Sequence, residues 1–253
     1  MLEGKGPLFE YLIYLGDNSL ILSHRLSEWC GHGPVLEQDI ALTNIALDIL
    51  GQARQWYQLA ATISGTDLDE DKIAYLRDSN EFRNILLVEQ PNTSWGHMLI
   101  RQFIYSSYIT PYLDKLRGSS HAEIAAIAAR SYPESTYHLR WCKDWLLRLA
   151  KGTEDGQAIM QSALDHLWDY QSEFLKAGEF EATMAAQAIA PDLQDFTPSV
   201  PAEIITGLTE AGLTIPAQNR NLSGGKKGVH TEHLGYILAE MQFLQRAYPG
   251  LEW

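Results

Sequence analysis

Apolar residues recur every three or four positions through most of this chain, interrupted by short turns rich in glycine, proline and acid. That spacing is the period of an amphipathic helix, and no useful length alternates apolar with polar residues as a strand would. A first helix is predicted from Phe9 to Gly31, with Leu12, Leu15, Leu22 and Leu26 on its buried face and Glu28 near the edge of that face. Gly31-His-Gly-Pro34 stops it. A second helix runs from about Leu36 to Ile63, and its inward stripe is Leu42, Ile45, Ile49, Gln52 and Trp56. After the acidic turn Gly65 to Asp71, the pattern predicts a third helix from Asn80 to Arg117. Its seam is Phe82, Ile85, Glu89, Asn92, Gly96, Leu99 and Phe103, with a kink at Pro91. A fourth helix spans His121 to Lys151 through Ile124, Ala128, Ser131, Ser135, His138, Cys142, Trp145 and Leu149. A fifth, Gly156 to Ala177, buries Met160, Leu164, Leu167 and Phe174. A short helix opened by Pro201 and closed by Gly212 follows, then the loop Ser223 to Gly228, then a last helix from Thr231 to Ala247. Long helices joined by short turns make an up-and-down bundle. The expected fold class is therefore all-α, one domain over residues 1–253, with additional C-terminal helices.

Polar residues interrupt the stripes at mid-helix, and their order is informative. Bundles that hold two irons offer a lone Glu, then Glu-x-x-His, and repeat both on the second helix pair. Placed on that template, this chain gives Glu28, then Ile49 and Gln52, then Glu89, then Ser135 and His138. No Asp or Glu stands three residues before a His anywhere in the sequence. Iron that activates dioxygen needs anionic oxygen donors and imidazoles. Ile49 donates nothing, Gln52 is neutral and Ser135 is a poor ligand. Glu28 and Glu89 are then read as structural carboxylates bonded to Gln52, His138, Arg25 or Arg54, because buried charges persist when paired. His138 is read as a satisfied core histidine.

Other chemistry is weaker still. Glu28 with His32, and Glu134 with His138, have zinc-like spacing but lack further ligands. Within His230-Thr-Glu-His233, Glu232 fits a first-turn acid favoured by the helix dipole. Gly224 to Gly228 lacks the spacing of a nucleotide phosphate loop, yet Lys226 and Lys227 stand before a helix N-terminus, where an anion would be welcome. The loop reads as an exposed basic turn. With His230 and Glu232 behind it, it is the expected contact with a partner or with the CoA end of a substrate, and reversing both lysines is expected to leave the fold intact. No Ser-His-Asp or Cys-His set declares itself.

Charge and composition narrow the class. Nineteen Lys and Arg against thirty-two Asp and Glu leave a net charge of −13, which argues against a nucleic acid as the main partner. Cys30 and Cys142 are no disulfide framework and suit a reducing compartment. The start lacks a signal-peptide layout and no apolar run reaches a membrane span, so the cytoplasm is expected and no membrane.

Four stretches carry a resemblance: Arg25-Leu-Ser-Glu-Trp-Cys-Gly-His32, Asn44-Ile-Ala-Leu-Asp-Ile-Leu-Gly-Gln-Ala-Arg54, Leu86-Leu-Val-Glu-Gln-Pro-Asn92 and Gly224-Gly-Lys-Lys-Gly-Val-His-Thr-Glu-His-Leu234. Across nearly its whole length the chain resembles the structural C-subunit family of bacterial phenylacetyl-CoA epoxidase (ring 1,2-phenylacetyl-CoA monooxygenase). The resemblance implies a ferritin-like bundle without a working di-iron centre, which pairs with a catalytic di-iron A subunit. It implies a complex completed by a B subunit and by a reductase carrying FAD and a 2Fe-2S cluster, which epoxidises the aromatic ring in aerobic phenylacetate breakdown. On the same resemblance, Glu28, Ile49, Gln52, Glu89, Ser135 and His138 are vestigial di-iron positions, Asp48 matches a non-ligand acid, and no cofactor belongs to this chain. Two readings of other classes stand beside it. One is a self-sufficient di-metal oxidase using Glu28, Glu89 and His138. The other is an acyl-CoA binding module using Lys226 and Lys227 on the CoA phosphates. Pairing of the isolated chain with itself is compatible with each.

Overall fold

The computed structural model describes residues 4–251, and among these the regular structure is entirely helical. Two long pairs form the body. α1 (Pro7–Ser27) packs along α2 (Leu36–Ser64), α4 (Trp95–Leu116) packs along α5 (Ala122–Gly152), and α2 meets α5 across the bundle. α3 (Glu70–Tyr75) caps the far end of α2, and α6 (Glu154–Leu167) lies over α4 and α5. α7 (Glu179–Ala186) covers α1, and α8 (Ser199–Glu210) rests on α4 where Gly207 faces Phe103 closely enough that a β-carbon would clash. α9 (Glu232–Met241) and α10 (Phe243–Ala247) close the chain. The expected all-α bundle with extra C-terminal helices is what the protein adopts.

The inward stripe of α2 is as the periodicity indicated, with Leu42, Ile45, Ile49, Gln52 and Trp56 all buried. α1 is buried on nearly every side, and this explains its charged centre. Asp17 and Arg77 are both fully buried; Asp17 accepts from Arg77 Nη1 at 3.0 Å, Arg77 Nη2, Tyr57 Oη and the Arg83 amide at 2.7 Å. A carboxylate can stay in a core only when its lone pairs are occupied in this way.

The third helix is not what the pattern predicts. Residues 82–94 form an irregular buried strap, and α4 begins only at Trp95. Phe82, Ile85, Glu89 and Asn92 therefore share no helical seam, and Pro91 kinks nothing. Pro91 disfavours helix in the residue before it, and Ser94 caps α4 by accepting from the His97 amide. A buried strap needs partners for its backbone, and side chains supply them. Asn18 Oδ1 receives the Ile85 amide at 3.0 Å, Glu173 Oε2 the Leu86 amide at 2.7 Å, and Arg101 Nη1 binds the Gln90 carbonyl at 2.6 Å. Arg25 donates twice to the Glu89 carbonyl.

Smaller differences follow the same logic. α1 ends at Ser27 rather than Gly31, the fifth helix gives way to short 3-10 turns after Leu167, and the last helix breaks at Gln242. The Gln242 side chain donates to the carbonyls of Ala74 and Arg77, which ties that break to the end of α3.

Candidate functional site

The six positions expected to mark a vestigial di-iron site do not converge. They fall into three places, told apart by the partners of their side chains.

Glu28 is exposed and caps the end of α1. It pairs with Arg25 Nη1 at 2.7 Å and accepts from Asn92 Nδ2 at 2.9 Å. The expectation of a carboxylate near the inward face is corrected: the helix stops one residue before it. The centre of the bundle beside Gln52 is approached on α1 by Tyr14, Asn18 and Ser19 instead. Glu28 lies ten positions beyond Asn18, about 15 Å along a helix.

Ile49, Gln52, Ser135 and His138 do face inward between α2 and α5, all of them buried. Gln52 Nε2 donates to Glu134 Oε2 at 2.9 Å, and His138 Nε2 meets Asp48 Oδ2 at 3.0 Å. Two side-chain contacts to carboxylates thus stitch α2 to α5. Asp48 and Glu134 are the partners that sequence reasoning missed, although both stand beside inward positions. The gap around Gln52 is lined by Tyr14, Trp56, Tyr105 and Phe174 and amounts to about 10 Å³, the lower limit for one water.

Glu89 is fully buried, and its side chain has other partners. Its carboxylate accepts from Asn84 Nδ2 at 3.0 Å, His230 Nδ1 at 2.9 Å, the Thr231 amide at 2.6 Å and Thr231 Oγ1 at 2.7 Å. The other ring nitrogen of His230 faces the Phe82 carbonyl at 3.0 Å. Both nitrogens therefore face acceptors, an arrangement that only the imidazolium satisfies fully. Burial by itself lowers the His230 pKa, but the hydrogen bond and charge of Glu89 outweigh it, and the net shift is upward from 6.5. The folded state then holds this proton more tightly than the unfolded chain. Its stabilisation is complete below pH 6.5 and fades as pH rises through the higher folded value. His230→Asn should lose most relative to the parent below pH 6.5 and progressively less as pH rises above it. Urea unfolding across that range measures it; a penalty that grows with pH would show His230 to be neutral.

The basic loop is also corrected. Lys226 is buried, not exposed, and its ammonium sits on Glu181 at 2.8 Å and on the carbonyls of Phe174 at 3.0 Å and Lys176 at 2.9 Å. Burial pushes Lys226 down and Glu181 up, while each draws the other back. The glycines are there for close approach rather than mobility. A β-carbon on Gly225 would lie 1.9 Å from the Asn84 carbonyl oxygen, and one on Gly228, where φ is +76°, 2.1 Å from that of Asn80. Lys227 and Glu232 are exposed, while His230 turns inward to Glu89. Lys226 is thus in no position to meet CoA phosphates.

The acids and imidazole of the zinc-like pairs have other partners: Glu28 serves Arg25 and Asn92, Glu134 serves Gln52 and His138 serves Asp48. Among the described residues, no three or more His, Cys, Asp or Glu side chains are grouped to hold a metal ion. The donor chemistry does not fit a di-iron centre either, because an aliphatic Ile49 and an amide Gln52 stand where carboxylate and imidazole would be required. No helix among the described residues is long and apolar enough to cross a membrane.

Fold and site together define an all-helical bundle whose buried polar side chains are joined by hydrogen bonds and ion pairs within the chain. The family model for "Phenylacetic acid catabolic protein" matches residues 3–253, and the chain belongs to that family. It is 44% identical over 246 residues to the C subunit of 1,2-phenylacetyl-CoA epoxidase from Escherichia coli (strain K12), covering 97% of this chain and 99% of that protein.

Proposed function

We propose that this chain is the non-catalytic structural subunit of a phenylacetyl-CoA 1,2-epoxidase, which binds and stabilises the di-iron catalytic subunit during aerobic phenylacetate degradation. The observation that carries this reading is the separation of the six template positions into three sites, each already satisfied by partners within the chain. The near full-length likeness to an epoxidase C subunit supports the pathway. On this reading the di-iron belongs to the catalytic partner, FAD and the iron–sulfur cluster belong to the reductase, and the compartment is the cytoplasm. This chain supplies a rigid surface.

Two measurements test it. Purified from iron-replete cells, the chain should hold much less than one iron and lack di-iron absorbance, and it should co-purify with the catalytic subunit when the two are co-expressed. Two tightly held irons per chain would instead establish the di-metal oxidase.

A further inference from the structure

The outer side of α2 carries an apolar stripe that the described chain leaves uncovered. Leu36 is 69% exposed, Ile40 52%, Leu47 60% and Leu50 42%. At 100° per residue these four fall within roughly 80° of arc, so they form one ridge rather than scattered positions. The C-terminal half of the ridge borders a groove of about 430 Å³ between α2 and α3, walled by Leu50, Tyr57, Ala74 and Tyr75. Gly51 opens onto the same face, where an added β-carbon would meet nothing.

The edges of the ridge are acidic. Exposed Glu37 and half-exposed Asp48 run along the side toward α5, and Glu70 and Asp71 line the groove on the side toward α3. Arg54, the cation at this groove, is paired with Glu70 at 3.4 Å. An apolar seam between acidic edges selects its occupant. A second copy would bring the same acids against these, on chains that each carry −13. A partner whose apolar helix face is flanked by lysine or arginine would neutralise both edges while the seam is buried.

We propose that this face of α2 seats the catalytic subunit of the complex, which presents such a basic-edged apolar helix, with one of its side chains anchored in the groove beside Leu50 and Tyr75. The assignment rests on the structural-subunit reading above and adds to it the surface and the charge of the partner.

Isothermal titration of the purified catalytic subunit into this chain tests the assignment. Ile40→Glu/Leu47→Glu should weaken binding at least about 30-fold, the scale of central interface residues. The isolated variant should keep the parent's circular dichroism and melting point, because both side chains point to solvent. Tyr236→Glu, an equally exposed apolar position on α9, should bind as the parent does. Glu37→Lys/Asp71→Lys should slow association, more at low salt than at high. Parent-like affinity of Ile40→Glu/Leu47→Glu overturns the surface and leaves the functional reading standing. Failure of the parent chain itself to bind overturns both. If the parent self-associates and Ile40→Glu/Leu47→Glu splits that dimer without weakening the mixed complex, the occupant is a second copy and the proposal falls.

Discussion

Glu89→Ala is expected to destabilise the isolated protein by about 3–5 kcal/mol, the usual cost of removing one member of a buried charged pair. The carboxylate is the meeting point of three segments that no regular hydrogen-bond ladder joins. It holds Asn84 within the strap, His230 in the loop and the Thr231 amide at the start of α9. Its loss leaves the His230 imidazolium, a side-chain amide and a backbone amide without an acceptor in a site closed to water. For a chain of this size that amounts to a fall in melting temperature of roughly 10 °C. Glu89→Gln keeps the shape but places a donor where donors already point, and should cost about 1–3 kcal/mol. Chemical unfolding of the two variants measures both. A loss below about 1 kcal/mol for the alanine variant would mean the network re-forms around water.

Much of this architecture can be read from the chain, and the limits have physical causes. The α2 stripe is legible because Leu42, Ile45, Ile49, Gln52 and Trp56 are all buried on one face of a single regular helix, and helix periodicity records that directly. The departure from di-iron chemistry is legible because it depends on residue type alone: no fold turns Ile49 into a ligand. What the sequence hides are contacts between distant segments. Glu89 and His230 stand 141 positions apart, and nothing local to either announces the other. Residues 82–103 carry a helical period, but Pro91 disfavours helix in the residue before it and the helix starts only after the Ser94 cap. Asp17 offered a clue of its own, since an acid amid an apolar run implies a buried partner. That partner, Arg77, lies in the turn after α3, where sequence alone gives no reason to look.

Glycine misleads for a related reason. Gly224-Gly-Lys-Lys-Gly228 has the composition of a mobile turn, but composition does not distinguish a glycine that moves from one pressed against another backbone. Here the carbonyls of Asn80, in the 3-10 turn before the strap, and of Asn84, within the strap, occupy the space where side chains would be. Once the loop is packed in this way, one of its two lysines must face inward.

The consequence is a sharp asymmetry between adjacent lysines. Lys227→Glu changes an exposed side chain and should shift stability by no more than about 0.5 kcal/mol. Lys226→Glu should prevent normal folding, because it sets a third carboxylate beside Glu181 and Glu173 within a buried pocket. Lys226→Met is the more informative change. It fills similar volume between the rings of Tyr14 and Phe174 but strands Glu181 and leaves the carbonyls of Phe174 and Lys176 without a donor. A loss of about 3–5 kcal/mol is expected. Adding Glu181→Gln removes the stranded charge while still accepting from the Gly178 amide, so the double variant should recover a large part of that loss. Urea unfolding of the two single variants and the double gives the coupling energy directly. Strictly additive losses would mean that the ammonium and the carboxylate act independently, and that the carbonyl contacts alone hold Lys226 in place.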